Sequence, residues 1–492
     1  MRVNKWLILL AVAIPSLMIE MAGTSVFVGF EVIATDLNVG MDKSVWLSTL
    51  YLAVNAMMIP LAGWLGRKLG YKRVIFFGVV IFTLSSLLCA LARDFESLVV
   101  FRALQGLGDG PIMPVATALL LEVFPARQRG RMMTGLMLAY SIAPALGPLI
   151  ASWLIDSFDN WRAIFYMNVI WGMASILAVS LLLPSMKPSE ATVKVNWTAF
   201  ILLAIGTGSL QLFLDRGDHL SWFDSGIISA LFITAVVSLA LYLIITFATR
   251  DKSVLDMGLL KNVPFMAGNL ANMVLMGALY GVLMIKVFYL QWILGFTVLQ
   301  SGIYQAVLAG SMLIFSIIAG ILTDKINPRW LVIAGLPVTV YSLSLATGLG
   351  LYSDMNSIMF VGIVLGAGLA LVSTPISITV FSTVKSKDMA AATVMNSYLF
   401  VVSAGVSLAL VTIFLMHRID VNTINLSGAV TVCNPAIANA MVINPTTGLA
   451  AAYTEITRQG AMFGFIDVWY LMAFILILIL LYLPYMKRAT EL

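Results

Sequence analysis

Long runs of apolar residues follow one another along the whole chain and are separated by short polar segments. A helix of about 20 apolar residues is long enough to cross the hydrocarbon core of a bilayer. The pattern therefore predicts an all-α polytopic membrane protein. We place fourteen spans near residues 6–33, 44–66, 73–92, 95–124, 130–155, 161–183, 196–215, 225–249, 264–294, 299–323, 329–351, 355–382, 389–416 and 464–486.

The basic residues fix the orientation of these spans. With the N-terminus inside, 20 of the 28 Lys and Arg residues fall in cytoplasmic segments and six fall outside. The remaining two, Arg102 and Lys286, lie within spans. Because cytoplasmic loops carry an excess of Lys and Arg, both termini are predicted to be cytoplasmic. The first run contains Glu20 and is too long for a signal peptide, so we interpret it as a retained first span.

Composition narrows the possible functions. The chain is 61% hydrophobic and 10% charged, and its net charge of +5 comes from these cytoplasmic loops, so no nucleic-acid partner is expected. Cys89 lies in a span and Cys433 in an outer loop, which predicts no disulfide. The chain has two histidines, both in outer loops, and no phosphate-binding loop. We therefore predict no enzyme activity, cofactor or metal ion, and either an ion gradient as the energy source or no energy source at all.

An internal repeat divides the chain. The loops that begin at Gly63 and Gly320 share a Gly-x-Leu start followed by charged residues, and Gly366-Ala-Gly368 of span 12 corresponds to Gly106-Leu-Gly108 of span 4. We predict two parallel six-helix halves with the substrate site between them near the midplane. The boundaries are 1–183 for the first half, 184–263 for two extra central helices, and 264–492 for the second half.

The second half includes an outer loop at residues 417–463 that is rich in Asn, Thr and Ala. This composition predicts a weakly structured segment. A loop of this length is uncommon in a compact protein unless it has a function.

Span 4 carries two charges, Arg102 and Asp109, which are seven residues apart and therefore share a helix face. A charge at the bilayer centre costs roughly 2.5 to 3.5 kcal/mol on insertion scales, so intramembrane charges usually mark an ion, proton or substrate path. In the span 12 repeat, Leu369 replaces the aspartate and Gly362 replaces the arginine. The charged apparatus thus belongs to the first half.

Span 1 carries Glu20 and Glu31 on one face. Because spans 1 and 4 run antiparallel, Glu20 should lie level with Asp109, and Glu31 nearer to Arg102. We predict two carboxyl groups in a region of low dielectric, suited to binding and releasing protons, and an ion pair between Glu31 and Arg102. The alternative is that these acids are structural and hydrogen-bond to neighbouring helices.

Other charged and polar residues within or near the spans receive simpler interpretations. Lys286 is predicted to extend to the outer interface, with contact to substrate as the alternative, and Asp215 with Arg216 to form a solvated interfacial pair. Five polar residues are candidates for lining the substrate cavity: Asn55, Tyr140, Asn269, Asn272 and Asn396.

Several motifs together resemble the major facilitator superfamily, and within it the fourteen-helix drug:proton antiporters of the EmrB/QacA type. Their positions are the loop from Gly63 to Arg73, the Arg102-x-x-Gln105-Gly106 motif of span 4, Ala143 to Pro148 of span 5, Trp161 to Asn168 opening span 6, and Leu214 to Gly217 followed by Trp222-Phe223. The residues that the resemblance marks for gating or export are Gly63, Arg67, Gly70, Arg73, Gln105, Gly106, Pro144, Gly147, Pro148 and Asp324.

The resemblance implies proton-coupled efflux of hydrophobic or amphipathic compounds, with Arg102 associated with proton coupling. It also implies the inner membrane of a Gram-negative bacterium. There the pump would work with a periplasmic adaptor, contacted through residues 417–463, and an outer-membrane channel. The alternatives are export of one dedicated molecule such as a fatty acid or siderophore, uptake, or a receptor or scaffold that does not transport.

The chain departs from the family pattern at three places. Arg67 stands where an aspartate is common, whereas Asp324 keeps that acid in the second half. Ala22 stands at the usual acid position of span 1, two residues after Glu20 and on a different face. Asp109 stands where a small residue is usual, so we interpret it as a relocated proton site.

Overall fold

The computed structural model describes residues 4–125, 128–184, 195–217, 220–249, 254–323, 325–385, 388–428 and 445–486. The α-helices are α1 (Lys5–Asp36), α2 (Met41–Ser44), α3 (Trp46–Met58), α4 (Ala62–Leu69), α5 (Tyr71–Ala90), α6 (Phe95–Asp109), α7 (Ile112–Val123), α8 (Arg129–Phe158), α9 (Ala163–Leu182), α10 (Trp197–Gly217), α11 (Gly226–Thr249), α12 (Val263–Phe288), α13 (Val298–Thr323), α14 (Pro328–Thr347), α15 (Met355–Ser382), α16 (Met389–Gly428) and α17 (Pro445–Ile477).

Short tight turns join or extend some of these helices. A 3₁₀ turn at Ile59–Leu61 connects α3 to α4, a π-helix at Tyr289–Ile293 continues α12, and a 3₁₀ segment at Leu478–Tyr485 continues α17. Two further 3₁₀ segments, Trp222–Asp224 and Met257–Lys261, lie in connections.

Twelve helical segments among the described residues are long and apolar enough to cross a membrane. The remaining two predicted spans, the fourth and the fifth, correspond to α6 with α7 and to α8. The predicted all-α polytopic fold is confirmed, and the count of fourteen is compatible with it but stays a prediction. We call the face predicted to be cytoplasmic the inner face, and the opposite one the outer face.

The predicted repeat has a matching pair of helix contacts. A Cβ atom on Gly106 of α6 would lie 2.4 Å from the Tyr51 carbonyl oxygen of α3. A Cβ atom on Gly366 of α15 would lie 2.4 Å from the Leu308 carbonyl oxygen of α13. Only glycine permits backbones to approach this closely. The second helix of each half therefore packs on the fourth through an equivalent glycine.

At the inner face of each half, a basic residue links the start of one helix to the end of another. The Lys72 ammonium at the start of α5 donates to the carbonyl oxygens of Ser180 at 2.7 Å and Leu183 at 2.8 Å, where α9 ends. Arg329 at the start of α14 donates to the Pro484 carbonyl oxygen at 2.9 Å, where the last helix ends. Both cations satisfy carbonyl groups that a helix C-terminus leaves without intrahelical partners.

The outer segment 417–463 differs from its prediction. Helix α16 continues to Gly428 and α17 begins at Pro445, so the described part of this segment is helical. Asp467 accepts hydrogen bonds from Arg418 at 2.7 Å and from Asn422 at 3.1 Å, which ties the two helices together. The prediction of a weakly structured loop is wrong for these residues, because composition does not reveal the partner helix that stabilises them. We call α16 beyond Met416 and α17 before Ile466 the outer hairpin.

The two halves meet along three seams, where α1 packs on α12, α8 on α13, and α3 on α16. Aromatic rings fill the first seam: Phe27 lies edge-on to Tyr280 and Phe30 to Phe288, each at 6.1 Å between ring centroids. The extra helices α10 and α11 pack on each other, and α10 also lies against α3 and α16. A space between the halves remains near the middle of these seams.

Candidate functional site

The helix of span 4 is interrupted directly after Asp109. Helix α6 ends at Asp109, Gly110 caps it, and α7 begins at Ile112. A Cβ atom on Gly106 or Gly110 would lie within 2.5 Å of a backbone oxygen of α3. The glycines thus bring the backbone of α6 against α3, which places the Asp109 carboxyl group among the side chains of that helix.

Two side chains of α3 hold the Asp109 carboxylate, which is only 6% exposed. The Tyr51 hydroxyl donates to its Oδ2 atom at 2.5 Å, and the Asn55 amide also donates to Oδ2. The other oxygen, Oδ1, receives neither bond. It is therefore the atom on which a proton can be held without displacing Tyr51 or Asn55.

Arg102 lies two helical turns before Asp109 in α6, is fully buried, and is held by neutral groups. Its Nε donates to the Leu47 carbonyl oxygen at 2.9 Å, and its Nη1 donates to the Gln105 side chain at 2.7 Å. Its guanidinium lies 4.3 Å from the centre of the Tyr51 ring. Tyr51 thus contacts Arg102 through its ring and Asp109 through its hydroxyl, so it links the two charges.

The predicted ion pair between Glu31 and Arg102 is wrong. The polar contacts of Arg102 go to Leu47 and Gln105, and its Nη2 has no hydrogen-bond partner among the described residues. The physical reason is helix packing: α6 lies against α3 and α5, whereas α1 packs mainly on α8 and α9. The similar depth expected from the sequence was not enough to make these two residues neighbours. Glu31 is partly exposed near the outer end of α1.

A narrow cavity, partly open to solvent, lies beside Asp109 between the two halves. The cavity is lined by Ile19, Glu20, Gly23, Phe27, Ser48, Tyr51, Leu52, Asn55, Asp109, Tyr280, Phe400 and Val401. The structure therefore brings together three of the predicted site residues: Glu20, Asp109 and Asn55.

The two halves contribute chemically different side chains to the cavity. The first half supplies both carboxyl groups, whereas Tyr280, Phe400 and Val401 of the second half supply an aromatic and apolar wall. The glycine contacts of α15 on α13 place Leu308 in the position that Tyr51 has on α3. Together with Leu369 in the position of Asp109, this makes the equivalent site of the second half apolar.

Tyr51 was missed from the sequence, although a signal was present. Ser48, Tyr51 and Asn55 are spaced three and four residues apart on an otherwise apolar span, so they share one face of α3. All three line the cavity. A polar stripe at helical spacing would have identified Tyr51 as a companion of Asn55.

The other cavity candidates lie elsewhere or outside the described side chains. Asn269 and Asn272 are buried in α12, where Asn269 donates to the Phe265 carbonyl oxygen of its own helix at 2.8 Å. These two and the partly exposed Asn396 are not among the residues that line the cavity. The side chain of Tyr140 lies outside the described residues, so its contribution stays a prediction.

The motif residues occupy helix ends and seams. Gly70 has a φ of 87° where α4 turns into α5, a conformation that favours glycine. A Cβ atom on Gly147 would lie 2.7 Å from the Met21 carbonyl oxygen, and one on Gly302 of α13 would lie 2.8 Å from the Pro148 carbonyl oxygen. The span 5 motif is therefore located where α8 packs on α1 and α13.

The remaining motif residues have less defined surroundings. Gly63 and Arg67 are partly exposed in α4, and Arg73 is exposed at the start of α5. The Nε of Arg67 is buried, and no described residue forms a hydrogen bond with it. The side chain of Pro144, and Asp324 as a whole, lie outside the described residues.

Two charged residues contradict their simple interpretations. Lys286 does not reach the outer interface, because α12 continues into the π-helix and Trp469 of α17 covers it. It is 1% exposed, and its Nζ lies 4.2 Å from the centre of the Trp469 ring. Asp215 is not a solvated partner of Arg216, since it is partly buried and lies beside Thr49 of α3.

Comparison with known proteins identifies the class. The family model described as the Major Facilitator Superfamily matches residues 12–410. The chain belongs to the Major Facilitator Superfamily, whose members are transporters rather than enzymes, and it is a multi-pass membrane protein. The family membership and fold predicted from the sequence are thus confirmed.

Individual relatives are more specific. The chain is 27% identical to "Multidrug export protein EmrB" of Haemophilus influenzae over 95% of its own length and 92% of the relative's. It is 29% identical to "Fatty acid resistance protein FarB" of Neisseria gonorrhoeae over 78% of its length and 76% of that protein. Among solved structures, an inward-facing bacterial homologue of the human lysosomal transporter Spinster matches with a TM-score of 0.65 at 16% identity, over 99% of this chain and 98% of that one.

Proposed function

We propose that this protein exports hydrophobic or amphipathic compounds across the inner membrane in exchange for protons. The observation that carries the proposal is the Asp109 carboxyl group, which lines the cavity between the halves and is held there by Tyr51 and Asn55. An intramembrane carboxyl group at a substrate cavity is the chemistry that proton coupling requires.

Proton binding and substrate binding would compete at this cavity. With Asp109 ionised, Tyr51 and Asn55 donate to its Oδ2 atom, and the nearby Arg102 guanidinium offsets the negative charge. A proton on Oδ1 removes that negative charge and leaves Arg102 as an uncompensated buried cation. Such a charge is costly in a low dielectric, so protonation favours a different packing of α6 on α3. Arg102 is in this scheme a positioning residue that acts through Tyr51.

Glu20 would serve as a second acidic group of the same cavity. It lies on α1, lines the cavity with Asp109, and is partly exposed to it. The rings of Phe27, Tyr280 and Phe400 give an apolar substrate a surface to pack on. A compound with an aromatic body and a basic group fits this combination of rings and carboxyl groups.

The same observation disfavours the export of a fatty acid, the activity suggested by the name of the FarB relative. A carboxylate substrate would lie beside Glu20 and Asp109, and like charges at close range repel strongly where water is excluded. The residues that line the described cavity include no Lys or Arg that could neutralise such a substrate.

Ethidium transport tests the proposal. Inside-out vesicles with an acidic interior should accumulate ethidium, and collapse of the pH difference by nigericin should stop the accumulation. A chain that serves as a receptor or scaffold would show no accumulation at any gradient. Accumulation that continues after the pH difference has collapsed would contradict proton coupling.

We further propose that the pump is part of a tripartite exporter in a Gram-negative bacterium, with both termini in the cytoplasm. The support is the outer hairpin, which continues α16 and α17 beyond the predicted membrane boundary and is closed by the Arg418–Asp467 ion pair. Ile424 and Tyr453 of this hairpin are each 68% exposed, so they offer apolar contacts to an adaptor.

Substitutions on the outer hairpin should separate export by cells from transport by vesicles. Ile424→Asp with Tyr453→Asp should lower export by cells roughly tenfold, the effect of about 1.4 kcal/mol lost from adaptor binding. Ethidium accumulation in vesicles, which needs no adaptor, should remain at the parental level. Equal loss in both assays would show damage to the pump itself, and parental export by cells would exclude this surface as the adaptor contact.

A further inference from the structure

Helix α10, the first of the two extra helices, carries a polar stripe. Thr207, Gln211 and Asp215 are spaced four residues apart, so they lie on one helix face. A peripheral helix surrounded by lipid has no use for such a face, because each polar group without a partner is costly in hydrocarbon. This face is instead turned to α3 of the first half and α16 of the second half.

The outer end of α10 is fastened to the first half by charged groups. The Asp215 side chain lies beside the Thr49 hydroxyl of α3. The Arg216 guanidinium lies 3.3 Å from the centre of the Trp46 ring, in the first turn of α3. Hydrogen bonds and ring contacts of charged groups are stronger where water is scarce, so separation of these pairs would be unfavourable.

The inner half of α10 is also fastened to the first half. The Trp197 ring at the start of α10 lies edge-on to Trp64 of α4, with 5.3 Å between ring centroids. In the middle, Gly208 lies directly against the terminal methyl group of Met57 in α3. Contacts with α3 and α4 therefore extend along the whole length of α10.

The contacts of α10 with the second half are different in kind. The Thr207 and Tyr398 hydroxyl groups lie 2.6 Å apart, and the Gln211 amide packs on the bare backbone at Gly405. Ala409 joins the small apolar cluster around Leu214 at the outer end. All of these contacts are between uncharged groups. Two of the three α16 residues, Gly405 and Ala409, are the smallest amino acids. Within the described part of the chain, the Nε2 of Gln211 has no hydrogen-bond partner, so a shift of α16 past α10 breaks no bond of that atom.

We infer that α10 and α11 move as part of the first half during transport, and that the surface that slides is the one between α10 and α16. In this view, the two extra helices of the predicted central unit 184–263 are an addition to the first half, and they pack behind the seam between α3 and α16. The inference concerns the motion of helices and holds for any cargo, so it does not depend on proton coupling.

Reversible cross-links test this inference in a background with Cys89→Ala and Cys433→Ser. One pair, Gln211→Cys with Gly405→Cys, joins α10 to the second half. The matched pair, Thr49→Cys with Asp215→Cys, joins α10 to the first half one turn away. Each is bridged with a short bis-methanethiosulfonate and later released with dithiothreitol. Ethidium accumulation is measured in the linked and released forms of the same protein.

Linking Gln211→Cys to Gly405→Cys should lower accumulation at least about tenfold, with recovery on release, because the cycle cannot proceed when halves are joined. Linking Thr49→Cys to Asp215→Cys should leave it within about twofold of the released form, because a bridge inside a rigid body removes no motion. Full activity with the first link, or reversible loss with the second, overturns the inference.

A side chain at Gly405 would lie about 3 Å from the Gln211 amide, so the Gly405→Cys variant could fold poorly. A second cysteine pair keeps the test decisive in that case. If that variant is inactive even when released, Thr207→Cys with Tyr398→Cys replaces it, bridged by a longer reagent that spans the position of the tyrosine ring. Reversible loss on linking supports the sliding surface between α10 and α16. Unchanged accumulation on linking contradicts it.

Discussion

Ethidium accumulation driven by a pH difference should fall by about 100-fold or more when Asp109 is replaced by asparagine, as expected for the loss of a proton-transferring group. The amide keeps the shape of the side chain, and its oxygen can still accept the hydrogen bonds from Tyr51 and Asn55. The site therefore stays folded but can no longer gain or lose a proton. Binding of ethidium, measured by fluorescence of the purified protein, should remain.

Glu31→Gln is the matched control for this substitution. It also neutralises a carboxyl group within a span, but Glu31 does not line the cavity. We expect accumulation within about twofold of the parent, the usual range for a substitution that removes no specific contact. Normal accumulation by Asp109→Asn would assign the proton to another group, and Glu20 would be the first candidate. Loss of ethidium accumulation with Glu31→Gln would show that Glu31 takes part in proton coupling.

Replacing Arg102 by methionine should shift the pH dependence of transport rather than abolish substrate binding. Methionine fills a similar apolar volume but removes the positive charge beside Tyr51. Without that charge, the carboxyl group of the cavity gives up its proton less readily. The pH of half-maximal ethidium accumulation should therefore rise by about one unit, equivalent to roughly 1.4 kcal/mol of lost interaction.

Arg162→Met provides the comparison for the arginine. Arg162 forms an ion pair with Asp36 at 3.1 Å at the outer end of α1, away from the cavity. Its removal should leave the half-maximal pH unchanged. An unchanged pH profile for Arg102→Met would show that Arg102 has no influence on proton exchange. A purely structural role would lower the amount of folded protein without moving the profile.

The sequence was sufficient to predict the class of fold and part of the site. Apolar runs report the length of membrane helices directly, because the bilayer fixes that length. Asp109 was recognisable as a costly charge, and its depth correctly placed Glu20 at the same level. The glycines of the sequence repeat, Gly106 and Gly366, make equivalent close contacts in the two halves.

Depth alone did not predict neighbours. Glu31 and Arg102 were expected at similar depths, but α6 packs mainly on α3 and α5. Which side of a helix meets which partner depends on the packing of the whole bundle, and a single sequence carries little information about it. The same limit applies to Lys286, which lies under Trp469, a residue almost 200 positions further along the chain. Tyr51 is the residue whose omission mattered most, since it joins the two charges of the site.

Proton release on substrate binding tests the central claim most directly. Purified parent protein in weakly buffered detergent solution should release about one proton for each ethidium bound, as linkage between the two ligands requires. The Asp109→Asn variant should bind ethidium and release none. Equal release by parent and Asp109→Asn would contradict the assignment of the proton to Asp109, and binding by the parent without release would contradict exchange itself.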